Sequence, residues 1–187
     1  MPLDYNFAEV RELIKKLGGP KALGATGYSV PLNIFLSQEI VRMQLVFNIV
    51  RKTLVDICDA IDGQIIMTAE ILDSINAIFD TRVPYYWIYD ATGAEISWII
   101  PTLGKWFNDL VERNRQLYEW MKSNRPYTYW LGGFFNPQGF LTAMKQEVTR
   151  MHKTGKPIGG GQVEPPWSLD DVVYTTTVKE KDQDQIR

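Results

Sequence analysis

His152 is the only histidine in the sequence, so a search for a general base starts there. A base needs a group to activate, and no Ser or Cys stands beside it in a recognisable nucleophile motif. Its place at the end of a helical pattern gives a plainer expectation, a solvated side chain in the last turn where positive charge suits the helix dipole. A phosphate-binding loop requires Gly, four residues, then Gly-Lys and Ser or Thr, so that backbone amides and the lysine surround the phosphates. Gly104-Lys105 runs into Trp106, and Gly155-Lys156 into Pro157, so neither fits. Gly159-Gly160-Gly161 opens no helix and reads as a linker. Glu39, Asp56, Asp59 and Asp62 are too scattered for a metal set, and Asp56 with Asp59 reads as a solvated acidic edge. Arg113 and Arg125 carry the chemistry of a trans-acting arginine finger, although salt-bridged surface arginines are the simpler expectation. The lone Cys58 excludes an internal disulfide and a Cys-based zinc site. In an apolar helix it is expected to be a buried free thiol, which fits a reducing compartment. The expectation is a protein with no catalytic, cofactor-binding or metal-binding residues of its own.

What the sequence offers instead is aromatic. It holds six tryptophans, nine tyrosines and eight phenylalanines, enough to serve a contact surface as well as a core. Trp130, Phe134, Phe135 and Phe140 crowd around Gly132-Gly133, where the backbone can bend tightly. Asn136 is a good N-cap, and Pro137 suits the first helical position. Phe140, Leu141, Met144, Val148 and Met151 then form a stripe. Trp130, Phe134, Phe135, Asn136, Pro137 and Phe140 are therefore the candidate docking residues. Tyr85, Tyr86, Trp87, Tyr89 and Trp98 lie in an irregular segment and divide between core packing and exposed contact.

Five helices must position these groups. Residues 7–17 have apolar side chains at helical spacing, and Gly18-Gly19-Pro20 stops that pattern before a Gly-rich loop. A long one-sided stripe runs from Leu32 to about Asp59, and Asp62-Gly63 breaks it. A shorter helix over 69–80 is capped by Thr68, with Ile71, Leu72, Ile75, Ile78 and Phe79 expected inside. The next spans 102–123, with Leu103, Trp106, Phe107, Leu110, Leu117, Trp120 and Met121 as its apolar face, and ends before Pro126. The last covers 137–153. Residues 154–167 are a flexible Gly/Pro-rich segment, 172–178 are a β pattern with no partner strand, and the tail is charged. The fold class is thus all-α, about five helices in a bundle-like array, with a linker and one unpaired C-terminal strand. The sequence divides into a lead-in (1–30), a helical module (31–153) and a linker, strand and tail (154–187).

Composition narrows the partners. With 187 residues, 45% of them hydrophobic, the protein is long enough to bury one sizeable core. A net charge of −2 gives no general attraction to nucleic acid or to an anionic membrane. No apolar run reaches membrane-spanning length. The Met-Pro-Leu-Asp-Tyr start lacks the basic and apolar parts of a signal peptide.

The central stretch resembles the C-terminal region of dynein heavy chains, in its axonemal form. The residues that carry this are Phe134-Phe135-Asn136-Pro137-Gln138-Gly139-Phe140-Leu141-Thr142-Ala143, followed by Gln146-Glu147-Val148-Thr149-Arg150. Pro31-Leu32-Asn33-Ile34-Phe35-Leu36, Ala60-Ile61-Asp62-Gly63, Thr102-Leu103-Gly104-Lys105-Trp106-Phe107 and Trp167-Ser168-Leu169-Asp170 agree in order and spacing, over roughly residues 30–178. Residues 85–98 and the linker are longer than the family pattern. The resemblance implies the helical first part of the C-terminal domain, lying against the AAA+ ring of the motor. It implies that ATP hydrolysis and microtubule binding belong to the rest of the heavy chain, and that this part needs no cofactor. The partners it implies are that ring and, through the parent, dynein subunits and the microtubule, in the axoneme of a cilium or flagellum. The rival expectation is a free-standing helical adaptor that binds partners through its aromatic loop. An unrecognised enzyme working through His152 is a third.

Overall fold

The computed structural model describes residues 2–16, 30–122, 126, 128–152, 157–158, 162–163 and 165–174. Its spine is one long helix, α2 (Pro31–Ile61), which follows the short α1 (Phe7–Lys16). Pro31 starts α2 where a missing N–H costs nothing. No glycine or proline interrupts the helix from Leu32 to Ile61, and at 1.5 Å per residue it is about 46 Å long. Leu32, Phe35, Leu36, Ile40, Met43, Val46, Phe47 and Val50 are its buried apolar face. The helix stops at Asp62, where Gly63 takes a left-handed φ of 71° that favours glycine.

The other helices gather on that spine. Thr68 caps α3 (Ala69–Phe79) by accepting the Ile71 N–H at 3.3 Å. A single turn, α4 (Tyr85–Ile88), precedes α5 (Leu103–Lys122). A 3-10 turn over Leu131–Gly133 then leads into α6 (Pro137–Met151). Helices α1, α3, α4, α5 and α6 all contact α2. The N-terminal segment is tied in by Tyr5, whose ring stacks on Phe47 and whose hydroxyl donates to Asn114 at 2.7 Å.

The described residues are mostly helical, and the all-α class holds with six helices. The sixth is α4, which Pro84 and Gly93 mask by breaking the helical period on either side. Three expectations are corrected. Leu72 and Phe79 were expected inside, yet both are exposed. Ser74 and Ala77 are the buried residues of α3 instead, since small side chains let packed helices approach closely. Cys58 is exposed and not buried, because α2 runs past the core after Val50. Pro157–Ile158 pairs antiparallel with Gln162–Val163 inside the stretch read as a linker, and most of the strand expected over 172–178 lies outside the described residues. Residues 175–178, the Gly-rich loop after α1, Gly159-Gly160-Gly161, Arg125 and the charged tail lie outside the described residues.

Candidate functional site: an aromatic block latched by Glu39

The Phe-Phe-Asn-Pro motif is held from beneath by a side chain on α2. Glu39 is 1% exposed. Its carboxylate accepts the Phe135 N–H at 2.7 Å and the Asn136 N–H at 3.1 Å. These two amides precede α6, where no helical carbonyl is available to them. Burial raises the Glu39 carboxyl above its ordinary value, and the two N–H bonds, Arg42 and Arg113 act in the opposite direction. Asn136 completes the helix start by accepting the Gly139 N–H at 2.9 Å.

The turn before the motif is fixed just as closely. The Trp130 N–H donates to Gln116 at 2.7 Å, and Gln116 donates back to the Trp130 carbonyl at 3.2 Å. The Trp130 ring folds over the glycine pair, so a Cβ at Gly133 would sit 2.6 Å from a ring carbon. Arg113, nearly buried on α5, places its guanidinium 4.2 Å from the Trp98 ring centre and 5.3 Å from that of Trp130. Asp109 accepts from its Nε at 2.7 Å. Arg42 lies over Phe135 at 5.5 Å.

The candidate docking residues therefore divide. Phe134 and Phe140 lie in the core, 5.0 Å apart and 5.1 and 5.6 Å from Phe35. Phe135 is half-buried between Trp98 and Arg42. Trp130, Asn136 and Pro137 are exposed. Among the loop aromatics, Trp87 is buried against Trp106, and Tyr85 is exposed. Sequence reasoning placed Glu39 only among scattered acids. Its signal was an acid inside the apolar stripe, between Leu36 and Ile40 and one turn from Phe35 and Met43.

The groups with chemical potential are engaged structurally. His152 stacks on Trp167 at 3.9 Å, and its Nδ1 lies 3.0 Å from the Val148 carbonyl. Trp167 donates to the His152 carbonyl at 3.4 Å, and Thr149 to that of Ser168 at 3.3 Å, so residues 167–168 lie along the end of α6. Arg113 is paired and sandwiched on the inside, which differs from the surface arginine expected. Among the described residues no three His, Cys, Asp or Glu side chains converge as a metal set.

Comparison with known proteins agrees with the motif order. The family of the C-terminal domain of dynein heavy chains matches residues 4–187. Dynein axonemal heavy chain 5 of Mus musculus is 41% identical over 186 residues, covering 100% of this protein and 3% of its own length. Dynein axonemal heavy chain 8 of Homo sapiens is 40% identical over 186 residues, covering 100% of this protein and 4% of its own length. The gamma chain of the flagellar outer arm dynein of Chlamydomonas reinhardtii is 39% identical over 180 residues, covering 96% and 4%. The sequence thus spans only a few per cent of the length of these curated relatives. A match over nearly every residue, at this identity, shows that the protein belongs to the C-terminal domain family of dynein heavy chains.

Proposed function

We propose that this protein is a non-catalytic docking module of an axonemal-type dynein heavy chain. It packs on the AAA+ ring and biases the ATP-driven, minus-end-directed movement along microtubules that powers ciliary and flagellar beating. ATP hydrolysis and microtubule binding reside in the rest of the heavy chain, and this module needs no cofactor or metal. Its place is the axoneme, in the reducing environment of the cytoplasm. The observation that carries this is the end-to-end match to heavy chains named axonemal and flagellar. Large apolar groups left outside on several elements support it, since isolated domains seldom expose contiguous apolar surface. The adaptor alternative loses ground, because Trp87 of its aromatic loop is core.

The test adds this module in trans to a dynein motor that ends just before the segment, with its ring shown to be folded by nucleotide turnover. Saturable binding that changes the ATPase rate is expected. A turning-over ring that ignores the module at all concentrations would overturn the docking role.

A further inference from the structure

After Val50 the spine leaves the core, and Ala60 is the one buried residue from there to Ile61. Helix α3 folds back against it, with Ser74 and Ala77 buried. Among the groups this hairpin turns outward are large apolar ones. Val55, Ile61, Ile66, Leu72 and Phe79 are all exposed, Ile66 and Phe79 at 86%. The charge around them has a single sign. From Thr53 to Thr81 the sequence holds Asp56, Asp59, Asp62, Glu70, Asp73 and Asp80, and neither lysine nor arginine. Within residues 52–82 the cations are Lys52, 3.8 Å from Asp56, and Arg82, 2.7 Å from Asp80. Apolar surface in water forgoes about 25 cal/mol per Å² of burial. A field of one sign repels itself. A partner that brings apolar side chains flanked by Lys or Arg relieves both at once.

We propose that the α2–α3 hairpin docks a basic amphipathic segment of the AAA+ ring of its own heavy chain. Ile66 and Phe79 are the apolar anchors, and the carboxylates orient the lysines and arginines of the segment. This rests on the ring-packing function proposed above, and adds the surface and the chemistry of what it meets. Charge complementarity speeds the encounter and makes it salt-sensitive, while the buried anchors carry most of the affinity. A second copy of this module fits poorly, because it would set one acidic hairpin against another.

The test is zero-length carbodiimide coupling in the full-length heavy chain, which joins a carboxylate to a lysine amine in contact with it. Residues 53–81 hold no lysine, so apart from the neighbouring Lys52–Asp56 pair every amide their carboxylates form names a lysine outside the hairpin. The expected result is coupling of Asp59, Asp62 or Asp73 to lysines of the ring. The yield should fall about ten-fold or more in the double variant Ile66→Ser, Phe79→Ser, whose exposed positions leave the fold intact. It should also fall on raising salt from about 0.05 to 0.5 M, as the screening length shrinks. Coupling of other carboxylates of this module to the ring, with none from 53–81, would sink the hairpin surface and leave ring packing standing. If no carboxylate of the module couples to the ring, ring packing and the hairpin surface fall together. Coupling of the hairpin only to a second heavy chain, read from isotope-mixed copies, replaces the ring with self-association and overturns the proposal.

Discussion

Replacing Glu39 with alanine removes the only side chain shown to accept from both the Phe135 and the Asn136 N–H, at 2.7 and 3.1 Å. Each amide left without an acceptor costs about 1 kcal/mol at the low end of the usual range, and the lost methylene adds about 0.8 kcal/mol. The sum is about 3 kcal/mol. For a protein of this size that lowers Tm by roughly 6–12 °C. Glu39→Gln keeps one acceptor oxygen and should fall between the two. The pH dependence carries a sign. The folded-state Glu39 carboxyl titrates above 4.5, its ordinary value, because burial opposes ionisation. Above that value the unfolded state ionises freely while the folded carboxyl resists. The contribution of Glu39 to stability is therefore complete below about 4.5 and is lost as pH rises through the folded value. The gap in Tm between wild type and Glu39→Gln should shift against wild type over that window. The assay is thermal unfolding by circular dichroism from pH 4 upward, with hydrogen exchange at the Phe135 and Asn136 amides. A Glu39→Ala variant that melts within about 2 °C of wild type, with both amides still protected, would refute the latch.

Gly133→Ala puts a methyl where the Trp130 ring stands, 2.6 Å from a ring carbon; it should cost about 1–3 kcal/mol or swing the indole into water, and an unchanged melting curve with unchanged tryptophan emission would contradict that packing. Asn136→Ala removes the cap on Gly139 and should lower stability by about 1 kcal/mol in urea, with Asn136→Asp restoring most of it. Native Cys58 should react with maleimide at the rate of an exposed thiol; labelling that waits for denaturant would show the end of α2 to be covered.

Much of this was legible before folding. Thr68 and Asn136 stand where caps stand and cap as expected, because an N-cap is set by two or three neighbouring residues. The apolar stripes of α2 and α5 likewise predicted most of the core, including Trp106 and Trp120. Leu72 and Phe79 misled, because periodicity identifies an apolar face without saying whether the rest of the fold covers it. Helix α3 gathers its large apolar groups on one side, yet the residues it buries fully are its small ones, Ser74 and Ala77. Phe134 and Phe140 belong to the core for a reason no local pattern contains. They meet Phe35, about a hundred residues earlier in the sequence. Glu39 shows the same limit, since the amides it accepts from lie 96 and 97 positions away. Its membership of an apolar stripe was the single local trace.

One mechanical property follows from α2 being continuous. Glu39 and the hairpin tip belong to a single hydrogen-bonded rod, with about 33 Å of helix between Glu39 and Ile61. No hinge residue separates them. A push on the tip is therefore delivered as torque where the rod enters the core, at Val50, about 17 Å of helix from Ile61. A tilt of about 10° about that point would carry the tip through roughly 3 Å. Aromatic packing at one end thus sets how stiffly the other end yields to load.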